Sequence, residues 1–93
     1  MRFYRGRFDE ISRKHDIGAP VKVVSYQIKS IVQQNKQGAA VAYNGRITTS
    51  EAIARGSVII AESMGVWTPY QIGPMTKGMG GMCVYLLTED GMI

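Results

Sequence analysis

Two short apolar runs set the strongest limit on how this chain can fold. Residues 58–61 read VIIA and residues 83–87 read CVYLL, and neither run contains a charged residue. Runs of this length are typical of strands that are buried on both faces of a sheet. In a chain of 93 residues they predict one domain, residues 1–93, whose sheet carries a small core.

Two segments outside these runs carry helix signals. Residues 8–15 place Phe8 and Ile11 three positions apart, with acidic side chains before basic ones, which suits the helix dipole. Residues 51–55 follow a good N-cap residue, Ser50, and stop at a glycine. Each segment predicts a short helix.

Residues 21–34 fit two interpretations. Val24, Ile28 and Ile31 repeat at helical spacing between a proline and a glycine that suit a helix start and stop. The same apolar residues are β-branched, and the polar NKQG that follows would make a turn between two strands. We favour the helix and leave the strand open.

The remaining chain predicts strands and one long loop. Alternation over residues 39–43 leads into Asn44-Gly45, a strong signal for a two-residue hairpin turn. Residues 64–82 are predicted as a Gly/Met-rich loop, longer than most loops in compact domains. The predicted fold class is therefore α+β, a mainly antiparallel sheet with one or two short helices packed on one face.

Positive charge is concentrated at the N-terminal end. Residues 1–38 hold eight bases against three acids, whereas residues 39–93 hold three bases and four acids. Clustered cations attract polyanions, and the first arginines alternate with aromatic rings that can stack on unpaired bases. This basic segment predicts contacts with nucleic acid from Arg2, Arg5, Arg7, Arg13 and Lys14.

The basic segment also fits two roles that need no nucleic acid. Phe3, Tyr4 and Phe8 could pack into the core while the neighbouring bases are solvated. The same bases could instead meet an acidic surface of a protein partner.

The segment 64–82 is the second candidate binding region. It holds five of the eleven glycines, four of the six methionines and the only tryptophan. Methionine adapts to irregular apolar surfaces, and Trp and Tyr are the residue types that anchor interfaces. A partner surface, a lid over a ligand, or a loop folded back into the core would each account for this composition. The predicted contact residues are Trp67, Tyr70, Met75, Lys77 and Met79.

Residues 44–56, NGRITTSEAIARG, resemble part of the swapped-hairpin bacterial transition-state regulators of the AbrB/SpoVT type. Thr49 and Ser50 stand where that family has an aliphatic residue and a proline. The resemblance implies an intertwined DNA-binding dimer in which Arg46 and Arg55 contact phosphates. The matching residues are Gly45, Arg46, Ile47, Thr48, Glu51, Ile53 and Arg55.

Catalysis and metal binding are not predicted. A single histidine, His15, and a single cysteine, Cys83, leave no internal disulfide and no zinc framework. The seven carboxylates show no spacing that is typical of acid–base or metal chemistry. We expect His15 to be solvated or to cap carbonyls at the end of a helix, and Cys83 to be a small core residue. We expect no enzymatic activity and no cofactor.

The chain predicts a cytoplasmic protein without a membrane segment. Its first ten residues are too charged for a signal peptide, and no apolar run approaches the roughly 20 residues of a membrane helix.

One function and one alternative follow from these patterns. The predicted function is a small, non-enzymatic binding protein that contacts nucleic acid through a basic N-terminal face, as a homo-oligomer. The alternative is a protein-interaction inhibitor or adaptor, or an oligomer that sequesters a small anionic ligand, as phage counter-defence proteins do. In the alternative, residues 64–82 form the site.

Overall fold

Every regular element in residues 1–78 and 80–89, the part of the chain that the computed structural model describes, is a β-strand. The α+β prediction is therefore wrong, because no helix packs on the sheet in this part of the chain. The nine strands are β1 Arg2–Asp9, β2 Lys14–Val21, β3 Val23–Gln27, β4 Ile31–Gln34, β5 Ala40–Tyr43, β6 Gly45–Thr49, β7 Val58–Ser63, β8 Val66–Lys77 and β9 Cys83–Glu89.

Seven strands form one antiparallel sheet in the order β2-β1-β7-β8-β9-β6-β3, while β4 and β5 pair separately. β2 and β3 lie at opposite edges of this sheet, yet only Lys22 separates them in the chain. The sheet must therefore curl until its two edges meet. The contact between the rings of Phe3 on β1 and Tyr26 on β3, 5.4 Å apart, spans this closure.

The concave side of the curled sheet holds the core. The two apolar runs of the sequence form β7 and β9, as their composition predicts, and β7 is buried on both faces. Side chains from strands all round the sheet meet inside, where they exclude water from one cluster. Its members are Phe3, Val21, Ile47, Ile53, Ile59, Ala61, Tyr70, Ile72, Tyr85 and Leu87.

Residues 8–15 form the end of β1, a turn and the start of β2 instead of a helix. The Arg13 amide donates to the Asp9 carbonyl at 2.8 Å, and Arg13 adopts a φ of 57°. The Asp9 carboxylate accepts a hydrogen bond from the Ile11 amide at 3.0 Å. Ile11 is 96% exposed at the tip, so its spacing from Phe8 does not mark a buried helix face.

The helix favoured for residues 21–34 is wrong, and the strand alternative that the β-branched residues indicated is what the structure shows. They include β3 and β4, and the turn lies at residues 35–39, where the Asn35 side chain accepts hydrogen bonds from the Gln37 and Ala39 amides. The predicted Asn44-Gly45 hairpin is wrong, because β5 pairs with β4 whereas β6 pairs with β3 and β9. A Cβ at Gly45 would lie 2.7 Å from the Gln27 carbonyl oxygen, so glycine allows close strand approach there.

Residues 51–55, which were wrongly predicted as a helix, form an irregular segment that covers one end of the core. The Ile53 amide donates to the Tyr85 hydroxyl at 2.9 Å, and that hydroxyl donates to the Glu51 carbonyl. These contacts replace intrahelical hydrogen bonds, and the Ile53 side chain is 5% exposed. Residues 64–82 were also wrongly predicted as a loop, since most of them form the 12-residue strand β8.

The corner at Lys22 is held by side chains from the end of β6 and the residues that follow it. The Glu51 carboxylate accepts a hydrogen bond from the Lys22 amide at 2.7 Å. The buried Thr49 hydroxyl donates to the Lys22 carbonyl, also at 2.7 Å. The second Glu51 oxygen accepts from the Arg5 guanidinium at 3.2 Å. Both backbone groups of the corner are thereby satisfied, and β1 is tied to the same point.

These contacts predict a pH-dependent corner. The Lys22 amide and then the Arg5 guanidinium lower the pKa of Glu51 below its ordinary value of 4.5, against the opposing effect of partial burial. A carboxyl with a depressed pKa stabilises the fold above its ordinary pKa, and this contribution is lost as the pH falls. We expect Glu51→Gln to lower the melting temperature at pH 7, with the difference from the natural protein shrinking below pH 4.5.

Thermal melts between pH 3 and pH 8 measure this effect. Glu10→Gln, which removes an exposed carboxylate from the β1–β2 turn, is the matched control and should melt like the natural protein. If Glu51→Gln lowers the melting temperature by the same amount at pH 3 and at pH 7, the contribution of the corner does not depend on the charge of Glu51.

Candidate ligand-binding cleft

The β1–β2 hairpin bends over the convex face of β7 and β8. The register between β1 and β2 shifts between Tyr4 and Gly6, and residues near the hairpin tip line the same depression as residues of β8. The enclosed space, which we call the hairpin cleft, has a volume of about 360 Å³. Its walls include Arg13, Lys14 and His15 on the hairpin side and Ile60, Trp67 and Pro69 on the sheet side.

Gly6 permits this bend. A Cβ at this position would lie 2.8 Å from the Cγ1 atoms of both Ile60 and Val58, closer than real Cβ contacts. Glycine therefore lets the β1 backbone pass beneath these side chains. Ile60, on the convex face, is consequently only 3% exposed and forms an apolar floor.

Aromatic side chains flank the floor. The Trp67 ring is 40% exposed and packs against Tyr4 at a centroid distance of 5.6 Å, with the two planes at 43°. Phe8 and His15 form an edge-to-face pair at 5.2 Å beneath the hairpin. His15 is thus half-buried in a cleft wall, and the predicted solvated position at a helix end is wrong. Tyr4 therefore supports Trp67 while part of that residue remains accessible.

Two cations stand on the rim of the cleft, and its described lining residues include no carboxylate. Arg13 and Lys14 are both exposed and belong to the turn that the Asp9 carboxylate organises. The hydrogen bond from the Ile11 amide lowers the pKa of Asp9. An apolar floor, an accessible indole and two cations favour a planar, negatively charged ligand.

The other predicted basic residues do not line the hairpin cleft. Arg2 lies opposite Glu62 across the β1–β7 pair, and Arg7 lies opposite Asp16 across the β1–β2 pair. Arg5 is neutralised by Glu51 at the corner. The two arginines that the regulator resemblance implied at phosphates are exposed but lie elsewhere, Arg46 on β6 and Arg55 in the turn before β7.

The five residues predicted from segment 64–82 are also separated. Trp67 lines the hairpin cleft, whereas Tyr70 is 4% exposed in the core, where burial and then the Glu89 carboxylate raise its pKa. Met75 is 60% exposed toward the other end of β8. Lys77 is the last residue of β8, and Met79 lies outside the described residues.

Sequence reasoning missed Ile60, Pro69 and His15 as cleft residues. The signal for Ile60 was present, because a run without polar residues such as VIIA requires cover on both faces of its strand. Nothing in the local sequence indicated that this cover would be the β1–β2 hairpin, since Ile60 and His15 are 45 positions apart.

Metal chemistry finds no support in the described part of the chain. Residues 1–78 and 80–89 contain no group of three or more His, Cys, Asp or Glu side chains that could hold a metal ion. Cys83, at the start of β9, is half-buried and packs against the core cluster, away from the hairpin that carries His15. The same residues contain no apolar helix of the length that crosses a bilayer.

In comparisons with known proteins, no family model, no curated protein and no solved structure matches this chain. The function must therefore be inferred from the geometry of the cleft.

The bend at Gly6 generates a direct test of how the cleft is built. Gly6→Ala should lower the free energy of unfolding by about 1–3 kcal/mol, because the new methyl group overpacks against Ile60 and Val58. Chemical denaturation measures the loss. Adding Val58→Ala removes one clashing atom, so the double variant should lose less than the sum of the two single variants. Strict additivity would show that the hairpin does not press on β7.

Proposed function

We propose that this protein is a non-enzymatic binding protein that holds single-stranded nucleic acid in the hairpin cleft. The observation that carries the proposal is the meeting of Trp67 with Arg13 and Lys14 around one concave apolar surface. Aromatic rings that accept stacked bases, next to cations that accept phosphates, are the recurring elements of single-strand binding.

The size and shape of the cleft favour an unpaired base over a duplex. A volume of about 360 Å³ lies at the small end of ligand sites, which suits one base rather than a base pair. An unpaired base can turn its face to Trp67 while its phosphate stays at the rim, near Arg13 and Lys14. In a duplex both faces of each base are already stacked, so Trp67 would have nothing to contact.

We further propose that the protein acts as a homo-oligomer in the cytoplasm. Support for self-association comes from apolar side chains that one copy leaves in water, among them Val24, Val32 and Met75, which are 57%, 64% and 60% exposed. Gel filtration with absorbance read at both 260 and 280 nm reports the mass of the particle and any co-purifying nucleic acid together.

The single tryptophan makes the cleft directly observable. Single-stranded oligonucleotides should quench Trp67 fluorescence, and duplex DNA of the same length should quench it less. With two phosphates neutralised, the logarithm of the binding constant should fall with the logarithm of salt with a slope of about −1.4. Arg13→Gln/Lys14→Gln should bring that slope near zero, and Trp67→Ala should weaken binding of a labelled oligonucleotide by about 5- to 150-fold.

A charge-matched control separates the cleft from general electrostatics. Lys22→Gln/Lys29→Gln removes two exposed cations that do not line the cleft, and the corner at Lys22 is held through its backbone. This control variant should keep the salt slope of about −1.4 that is expected for the natural protein. Two results would rule out nucleic-acid binding in the hairpin cleft: an equal loss of oligonucleotide affinity in the two double variants, or no quenching of Trp67 fluorescence at low salt.

A second candidate function, contact with a protein partner, is favoured by the tip of the β7–β8 hairpin. Met64 is 97% exposed and adopts a φ of 51°, followed by Gly65 at 82°. Two-residue turns of this kind favour Asn-Gly, because asparagine and glycine adopt positive φ more easily than methionine does. Met64 therefore combines an exposed apolar side chain with an unfavourable backbone conformation. A partner that buries Met64 would account for its presence.

The protein-partner candidate makes its own prediction. Met64→Asn should raise the free energy of unfolding by about 1 kcal/mol, because asparagine adopts positive φ more readily. A stabilised variant that no longer captures a partner would support contact through this tip, and unchanged capture would exclude it. Thermal melts measure the first effect, and pull-downs compared with the exposed-tip control Ile11→Asn measure the second.

A further inference from the structure

The β4–β5 hairpin pairs with no strand of the seven-stranded sheet and forms an arm, residues 31–43, that borders a second cleft against the body. This arm cleft has a volume of about 440 Å³ and lies between the arm, the turn that carries Arg55, and the segment of β8 around Pro74 and Thr76. The hairpin cleft lies toward the other end of β8. Nine residue steps from Trp67 to Thr76 correspond to roughly 30 Å of strand.

The base of the arm is anchored. The Asn44 amide donates to the Leu87 carbonyl at 2.8 Å, and the Asn44 side-chain oxygen accepts from the Glu89 amide at 2.8 Å. A Cβ at Gly73 would lie 3.4 Å from the Tyr43 ring, so glycine lets the arm pack closely on β8. The cleft is therefore part of the folded shape of the protein and does not require a ligand to form.

The chemistry of the arm cleft differs from that of the hairpin cleft. Cations come from both sides, Lys36 from the arm tip and Arg55 from the body, and its described lining residues include no carboxylate. Side-chain amides of Gln33 and Gln34 supply both donors and acceptors. Val41 and Pro74 add apolar surface. The combination suits a ligand with a negative group at one end and a flat polar ring at the other.

We propose that the arm cleft binds a nucleotide unit, with its phosphate between Arg55 and Lys36 and its base against the glutamine amides. This site is separate from the hairpin cleft and does not depend on the function proposed for it. The nucleotide can be free or part of a nucleic-acid chain, since both present the same phosphate, sugar and base.

Titration of isotope-labelled protein with adenosine monophosphate, followed by NMR, tests the site. Side-chain amide signals of Gln33 and Gln34 should shift and saturate, and Trp67 fluorescence, recorded in parallel, reports occupancy of the hairpin cleft separately. Arg55→Gln should weaken binding about tenfold, as expected for losing a charged hydrogen bond. Lys36→Gln provides a second variant at the opposite wall.

Arg46→Gln is the matched control, because it removes an exposed arginine on β6 that does not line the cleft. It should bind adenosine monophosphate within about twofold of the natural protein. If only an oligonucleotide, and not the mononucleotide, shifts the glutamine signals in an Arg55-dependent way, the source of the nucleotide is a nucleic-acid chain.

Three results would overturn the proposal. The first is that neither adenosine monophosphate nor the oligonucleotide shifts the Gln33 and Gln34 side-chain signals. The second is that Arg55→Gln and Arg46→Gln weaken binding equally, and the third is that inorganic phosphate binds as tightly as adenosine monophosphate. Loss of oligonucleotide quenching at Trp67 bears on the hairpin cleft alone, so failure of one site is distinguishable from failure of the other.

Discussion

The two edges of the seven-stranded sheet meet at one residue, Lys22, whose backbone amide and carbonyl are both held by side chains at the end of β6 and just after it. Glu51 accepts from the amide and Thr49 donates to the carbonyl. A residue between two edge strands has no ladder partner of its own, so without these contacts its polar groups would depend on water. The Arg5–Glu51 ion pair ties β1 to the same corner. The closed, concave core depends on this closure.

Curling the sheet exposes a convex face, and the chain covers part of that face with its own hairpins. The β1–β2 hairpin bends at Gly6 over β7, and the arm leans on β8 at Gly73. In both places a missing Cβ allows backbone to approach a neighbouring strand. Each overhang leaves a cleft, so the two candidate sites arise from the same structural device. They differ in lining, one apolar and aromatic, the other rich in amides.

The distribution of charge shows how folding changes a sequence signal. The cations of residues 1–38 are close in sequence, but alternation along β1 and pairing with β2 and β7 send them to different surroundings. Arg5 meets an acid that lies 46 positions away, and only Arg13 and Lys14 reach the cleft beside Trp67. The predicted basic face is thereby reduced to a local pair of cations with an aromatic neighbour.

The sequence alone determined the strands β7 and β9, because a short run without charged residues must be buried wherever it packs, and such a run can be read from the local sequence. For residues 21–34 the β-branched residues indicated strand, but the helical spacing led to the wrong preference for a helix. Tertiary structure alone decided that residues 8–15 turn, that residues 51–55 plug the core, and that Arg13 lies beside Trp67. Those outcomes depend on register and hydrogen bonds between residues tens of positions apart, and short-range patterns carry no record of them.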